Sequence, residues 1–205
     1  MYDIEITNAT IVDGLGSEAY EGNIYVKDGE ISTITYKETF EASVSINASG
    51  KIVTPGFIDL HTHSDISFLL DPTAQSKVRQ GVTLELIGNC GLSLCAPLIG
   101  DARDMFDTWV SDHTDSYDPT WTDYAGYIEA SEKAKATVNI AFQIGHASLR
   151  LAVMGQDDRS PTAEELTEMK RLAGVALAAG ALCFSTGLFY SPGYYARTDE
   201  VIAIA

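Results

Sequence analysis

The chain has 205 residues, 45% of them hydrophobic, enough for one large globular domain or two small ones. Lys and Arg number 13 against 29 Asp and Glu, a formal net charge of −16. Such a surface repels phosphate backbones and anionic lipid, so neither nucleic acid nor a membrane is expected as a partner. No apolar run approaches the ~20 residues of a membrane-spanning helix, and the N-terminus MYDIEITNATIVDG lacks the basic patch and apolar stretch of a signal peptide. Three cysteines (Cys90, Cys95, Cys183) are too few for a disulfide scaffold. A cytoplasmic, reducing setting is expected, which leaves a cysteine free to ligate metal.

Residues 1–54 have all-β character. YDIEITNATIVDG, GNIYVKDGEISTITY and SVSINASGKIVTPG carry β-branched and aromatic residues separated by Asn, Asp and Gly. Asp28-Gly29 predicts a tight turn between two strands. These strands are too few to close a sandwich unaided, so the segment is expected to be part of a composite β-sandwich completed elsewhere.

From residue 55 strands alternate with helices. FIDLHTH (57–63) predicts a strand; Asp71-Pro72 predicts a helix start and Gly81 its stop. VTLELIGNC (82–90) predicts the second strand, and the acidic stretch 101–120 a surface loop or short helices. A helix is expected from Trp121, with Tyr124, Tyr127 and Ile128 on one face, then a strand over 138–146. Ser160-Pro161 opens the clearest helix: Glu164 and Glu165 suit its first turn, Leu166, Met169, Ala173, Ala176 and Leu177 line one face, and Gly180 ends it. ALCFSTGL (181–188) predicts the fourth strand, and VIAIA falls in a further helix. Strand–helix repetition at this spacing implies a parallel sheet with right-handed crossovers. Four such units over 55–205 make the first half of a (β/α)8 barrel or a small doubly wound sheet, since a whole barrel takes ~250 residues.

His61 and His63 are two apart, so on an extended strand they project to one face. Strand C-terminal ends are where barrel active sites are built. Two neutral imidazoles there can clamp one Zn²⁺. Two histidines that merely hydrogen-bond near a loop satisfy the same pattern. Cys90 adds weight to the metal reading: it ends the second strand in IGNCG, where glycines allow a sharp turn, and a thiolate is a strong zinc ligand. Its alternative is a buried structural cysteine.

PGFIDLHTHSD (55–65) resembles the strand-one signature of the amidohydrolase superfamily, whose metal sites begin with HxH. IGNCG followed by LSLCAP is similar to the N-acyl-D-amino-acid deacylases (D-aminoacylases), in which a strand-two cysteine replaces the usual bridging ligand. GHASLR (145–150) and STGLFYSPGYYA (185–196) look like the same family after strands three and four. The resemblance implies zinc-dependent hydrolysis of an N-acyl-D-amino acid to a carboxylate and a D-amino acid, with one or two ions. It assigns His61 and His63 to one metal subsite, Cys90 to a shared ligand, and the Tyr190 hydroxyl to the substrate carboxylate. Hydantoinases and dihydroorotases of the superfamily bridge their metals with a carboxylated lysine on strand four, and ALCFSTGLFY has no lysine.

The remaining metal histidines and the proton-shuttling aspartate of such an enzyme are expected after Ala205, so the 205 residues alone are expected to be inactive. Asp65 could orient a histidine or cap the following loop. His146 is expected in a structural hydrogen bond, Ser185 and Thr186 as pocket-shaping residues, Cys95 and Cys183 in packing, and His113 in solvent. The competing functions are a cyclic-amide hydrolase and a non-catalytic half-barrel that binds metal or a partner. An open half-barrel needs its missing C-terminal half or self-association to cover its sheet edges.

Overall fold

The computed structural model describes residues 1–94, 96–111 and 118–205. Cys95 and His113 lie outside them. The chain divides into two units, Met1–Gly56 and Phe57–Ala205.

The first unit is one mixed sheet, in order β3-β2-β1-β4 with β5 also on β1. Its strands are β1 (Tyr2–Ile11), β2 (Tyr20–Lys27), β3 (Glu30–Thr35), β4 (Ala42–Asn47) and β5 (Ile52–Val53). β2 is antiparallel to β1 and β3, whereas β4 and β5 run parallel to β1. The β2–β3 turn holds Asp28 at φ 54° and Gly29 at φ 82°, the two left-handed residues that an Asp-Gly hairpin turn requires. Alternation puts Ile24 and Tyr25 on opposite faces. Ala9, Ile11, Ile24 and Ala48 form one small core, while Tyr25 packs with Tyr2 and Phe40.

In the second unit, among the described residues, four parallel strands follow chain order: β6 (Phe57–Asp59), β7 (Val82–Ile87), β8 (Asn139–Gly145) and β9 (Cys183–Ser185). Between and after them come α1 (Ser67–Leu70), α2 (Gln75–Val78), α3 (Asp101–Ser111), α4 (Tyr124–Ala134), α5 (His146–Met154), α6 (Ala163–Ala178) and α7 (Thr198–Ile204). Consecutive parallel strands paired in sequence order, with helical crossovers, form a half-barrel.

The core lies between the sheet and its helices, where Ile87, Phe106, Trp121, Tyr127, Ile144, Leu149 and Met169 are all buried. Tyr127 is its hub. Its ring meets Phe142 edge-on at 5.3 Å, and its hydroxyl donates to the Asp65 carbonyl at 2.5 Å. Burying the ring while satisfying the hydroxyl ties α4 to the segment after β6. Asp123 caps α4, accepting from the Gly126 N–H at 3.0 Å.

Several elements differ from expectation. β6 stops at Asp59 because its Oδ1 accepts the His61 N–H (3.2 Å), turning the chain before the histidines. Asp71 likewise turns the chain by accepting from Thr73, so α2 begins four residues later, at Gln75. The acidic stretch contains an 11-residue helix, α3, that buries Ala102, Phe106 and Val110; the sequence showed its charge more plainly than its apolar stripe. α5, which no periodicity announced, is buried nearly all round. α6 starts at a capping box made by Thr162 and Glu165, and its Leu177 faces outward. Cys183 is exposed, with its thiol on the Gln143 side-chain oxygen at 3.3 Å.

Candidate metal centre

The loops leaving β6 and β7 bring three donors together. His61 Nε2 lies 3.3 Å from Cys90 Sγ, the His61 and His63 rings are 5.6 Å apart between centroids, and ligand atoms of all three lie within 4.8 Å of one another. Zinc–ligand bonds of about 2.0–2.3 Å meeting at a tetrahedral angle separate two donors by roughly 3.5 Å. The His61–Cys90 separation matches that span, and an N, N, S donor set suits a borderline-soft ion. Partial burial, aided by the neighbouring His61, holds His63 below its ordinary pKa. That favours the neutral imidazole a metal takes.

The surrounding framework explains the convergence. Beyond β7, Gly88, Cys90 and Gly91 all have positive φ, at 79°, 55° and 76°. The chain therefore folds back sharply and aims the cysteine towards the histidines. A Cβ at Gly88 would collide with the Gln143 carbonyl of β8, so the loop can pass β8 only as glycine. Asn89, buried, joins the two donor loops: its amide nitrogen donates to the Thr62 carbonyl (3.2 Å) and to Leu86 (2.6 Å). Its oxygen accepts from Gln143 Nε2 at 3.0 Å.

Asp65 also serves the Cys90 loop, accepting from the Gly88 N–H at 3.5 Å and the Leu94 N–H at 3.3 Å. Burial pushes its carboxyl up to about 7 against the pull of those two amides. These bonds go to the Cys90 loop, and not to the loop that follows Asp65 or to a histidine. Lys77 Nζ bonds Asp59 Oδ2 (2.7 Å) and Thr62 Oγ1 (3.0 Å) and lies 3.4 Å from buried Glu85.

Tyr190 is half-exposed and meets Phe189 edge-on. With His63, Cys90, Leu92, Leu94, Met105 and Trp109 it lines a cleft of about 380 Å³ beside the three donors. His146 is fully buried: Nδ1 faces the Thr186 hydroxyl at 3.1 Å and Nε2 faces Glu200 at 2.9 Å. It is thus in the expected hydrogen bonds. Ser185 bonds the Gly88 carbonyl and Gly91 N–H.

Sequence reasoning passed over Asn89, Lys77, Glu85, Arg150 and Glu200. A signal existed for Arg150, a lone charge within the otherwise apolar HASLRLAVM.

The amidohydrolase family model matches residues 45–198. The chain belongs to the amidohydrolase family. Within it, the chain is 36% identical to the N-acyl-D-glutamate deacylase of Alcaligenes xylosoxydans xylosoxydans, over 99% of this chain and 41% of that protein. It is equally identical to the D-aminoacylase of the same organism, with the same coverage. The crystal structure of N-acyl-D-glutamate deacylase from Bordetella bronchiseptica, complexed with zinc and a phosphonate mimic of the tetrahedral intermediate, superposes with a TM-score of 0.85 at 35% identity. That match covers all of this chain and 42% of the other. This amidohydrolase chain therefore spans about two fifths of the length of its relatives. Among its described residues, no helix is long and apolar enough to cross a membrane.

Proposed function

We propose that the full-length protein carrying this chain is a zinc-dependent deacylase that hydrolyses N-acyl-D-amino acids to a D-amino acid and a carboxylate. The observation that carries this reading is the His61–His63–Cys90 cluster, three donors within 4.8 Å of one another where β6 and β7 end. Deacylase relatives at 36% identity, and zinc in the crystal structure of a further deacylase at 35%, support the substrate class and the ion.

In this reading His61 and His63 hold the ion as neutral imidazoles and Cys90 as a thiolate, whose negative charge offsets part of the cation's. Zinc, when bound, supplies Lewis-acid polarisation of the scissile carbonyl and activation of water. Asn89 keeps the two donor loops in register through its bonds to Thr62 and Leu86. Tyr190, on the rim of the same cleft, donates its hydroxyl to the substrate carboxylate. The aspartate that moves the proton between water and leaving amine belongs to the part of the protein after Ala205, so residues 1–205 alone have negligible activity.

The domain reading accompanies this function. Residues 1–54 are one sheet of a composite sandwich; exposed Ile31, Val44, Ile46 and Ile52 supply apolar surface for its completion. Residues 55–205 are the first half of the barrel, whose open edges the remainder of the protein covers. A reducing cytoplasm keeps Cys90 available as a ligand.

The test is an assay of the full-length protein on N-acetyl-D-amino acids, their L-enantiomers, hydantoins and dihydroorotate, before and after chelation. Release of D-amino acid alone, abolished by chelation and restored by zinc, is expected. Turnover of the cyclic amides in preference would replace the deacylase reading with cyclic-amide hydrolysis. Activity indifferent to chelation would overturn the metal reading.

A further inference from the structure

Cys90 has φ 55° and ψ 25°, the left-handed region that a residue with a Cβ adopts only at an energetic cost. Such a conformation persists where its surroundings over-determine it. Here they come from the end of β9. The Ser185 hydroxyl donates to the Gly88 carbonyl and accepts the Gly91 N–H at 3.2 Å, so one side chain grips the backbone on both sides of Cys90. Two residues on, the backbone of Gly187 lies so close that a Cβ there would strike the Cys90 carbonyl oxygen.

The residue between them, Thr186, is itself anchored. Its hydroxyl meets His146 Nδ1 at 3.1 Å, His146 Nε2 meets Glu200 Oε1 at 2.9 Å, and Arg150 Nη1 lies 2.7 Å from each Glu200 oxygen. With Glu200 accepting at Nε2, that nitrogen carries the proton and Nδ1 accepts from Thr186. Burial holds the ring below its ordinary pKa even against Glu200, in keeping with this neutral tautomer. His146 and Arg150 are 0% exposed and Glu200 4%, so the anchor sits in the interior rather than in the cleft.

We infer that Ser185, braced through Thr186 by the His146–Glu200–Arg150 cluster, is a positioning residue that aims the Cys90 thiolate at His61 and His63. The inference rests on the reading of those three side chains as metal donors. Ser185 touches neither metal nor substrate in it, and acts through the backbone that carries the ligand.

The experiment is a cobalt(II) titration of the full-length protein, read by the near-ultraviolet thiolate-to-cobalt charge-transfer band and by thermal melting. Ser185→Ala is expected to weaken cobalt binding about 10- to 100-fold, the usual effect of removing a group that supports a ligand, and to weaken the band. Ser185→Thr, which keeps the hydroxyl, is expected to restore both. A wild-type protein without the band overturns the metal reading, and the inference with it. A wild-type band that Ser185→Ala leaves unchanged in affinity and intensity overturns the inference alone. Should Ser185→Ala fail to fold, Thr186→Val takes its place: reduced affinity supports the brace, and unaltered cobalt binding overturns it.

Discussion

Both carboxylate oxygens of Glu200 lie 2.7 Å from Nη1 of Arg150, beside His146, in a cluster that solvent barely reaches. Removing one partner of a buried ion pair strands the other charge, at a cost of about 3–5 kcal/mol. Arg150→Met or Glu200→Met is expected to lower unfolding free energy by that amount in urea denaturation of the full-length protein. The double substitution should cost less than the sum of the two. Strict additivity would show that the two charges do not interact.

Lys77 is expected to behave similarly towards Glu85, whose Oε2 is buried, without a hydrogen bond among the described residues, and 3.4 Å from the lysine ammonium. Lys77→Met leaves that carboxylate uncompensated and should destabilise by about 3 kcal/mol or more. Glu85→Gln in the same background should recover part of the loss. Denaturation midpoints of the two variants give the comparison, and an unaffected Lys77→Met would remove the lysine from the stability argument.

Zinc should protect one cysteine and not another. Cys90 is partly exposed and Cys183 exposed, so both are open to iodoacetamide in the metal-free protein. With zinc bound, labelling at Cys90 is expected to slow at least tenfold while Cys183 reacts as before, as mapped by peptide mass spectrometry. Equal slowing at both positions would point to a general tightening of the fold instead of ligation.

The capping box at the start of α6 sets an acid dependence. The Arg159 guanidinium, with the Thr162 N–H, holds Glu165 down to about 2 from an ordinary 4.5. A carboxyl lowered on folding stabilises above its unfolded pKa, and the contribution fades as pH falls from about 4.5 towards 2. Glu165→Gln should flatten the stability profile across that window. Thr162→Ala, which removes the other half of the box, should cost about 1 kcal/mol at neutral pH. Denaturation at a series of pH values measures both, and a Glu165→Gln profile as steep as wild type would refute the assignment.

Much of the donor cluster was legible because its signals are local. A two-residue histidine spacing and a cysteine set among glycines each announce themselves in a few positions, and the alternation of strands and helices placed them at neighbouring strand ends. The backbone between them was less legible: hydrophobicity carries FID on to the histidines, whereas a single Asp59 hydrogen bond stops the strand. Helix α5 escaped because burial on all sides erases the period that betrays a helix. The brace behind Cys90 was hidden for another reason. Arg150 and Glu200 are 50 residues apart, and Ser185 lies more than 90 from the glycines it holds. Only the sheet order brings them together.

That order has a consequence for biosynthesis. Each strand of the half-barrel pairs with the one translated just before it, β6 with β7, β7 with β8, β8 with β9. The sheet can therefore zip up from its N-terminal side as the nascent chain leaves the ribosome, without waiting for a distant segment. The histidine and cysteine loops meet when the second strand docks, and the clamp from β9 closes on them two strands later. A metal ion captured at that stage would serve as a template for what is translated next.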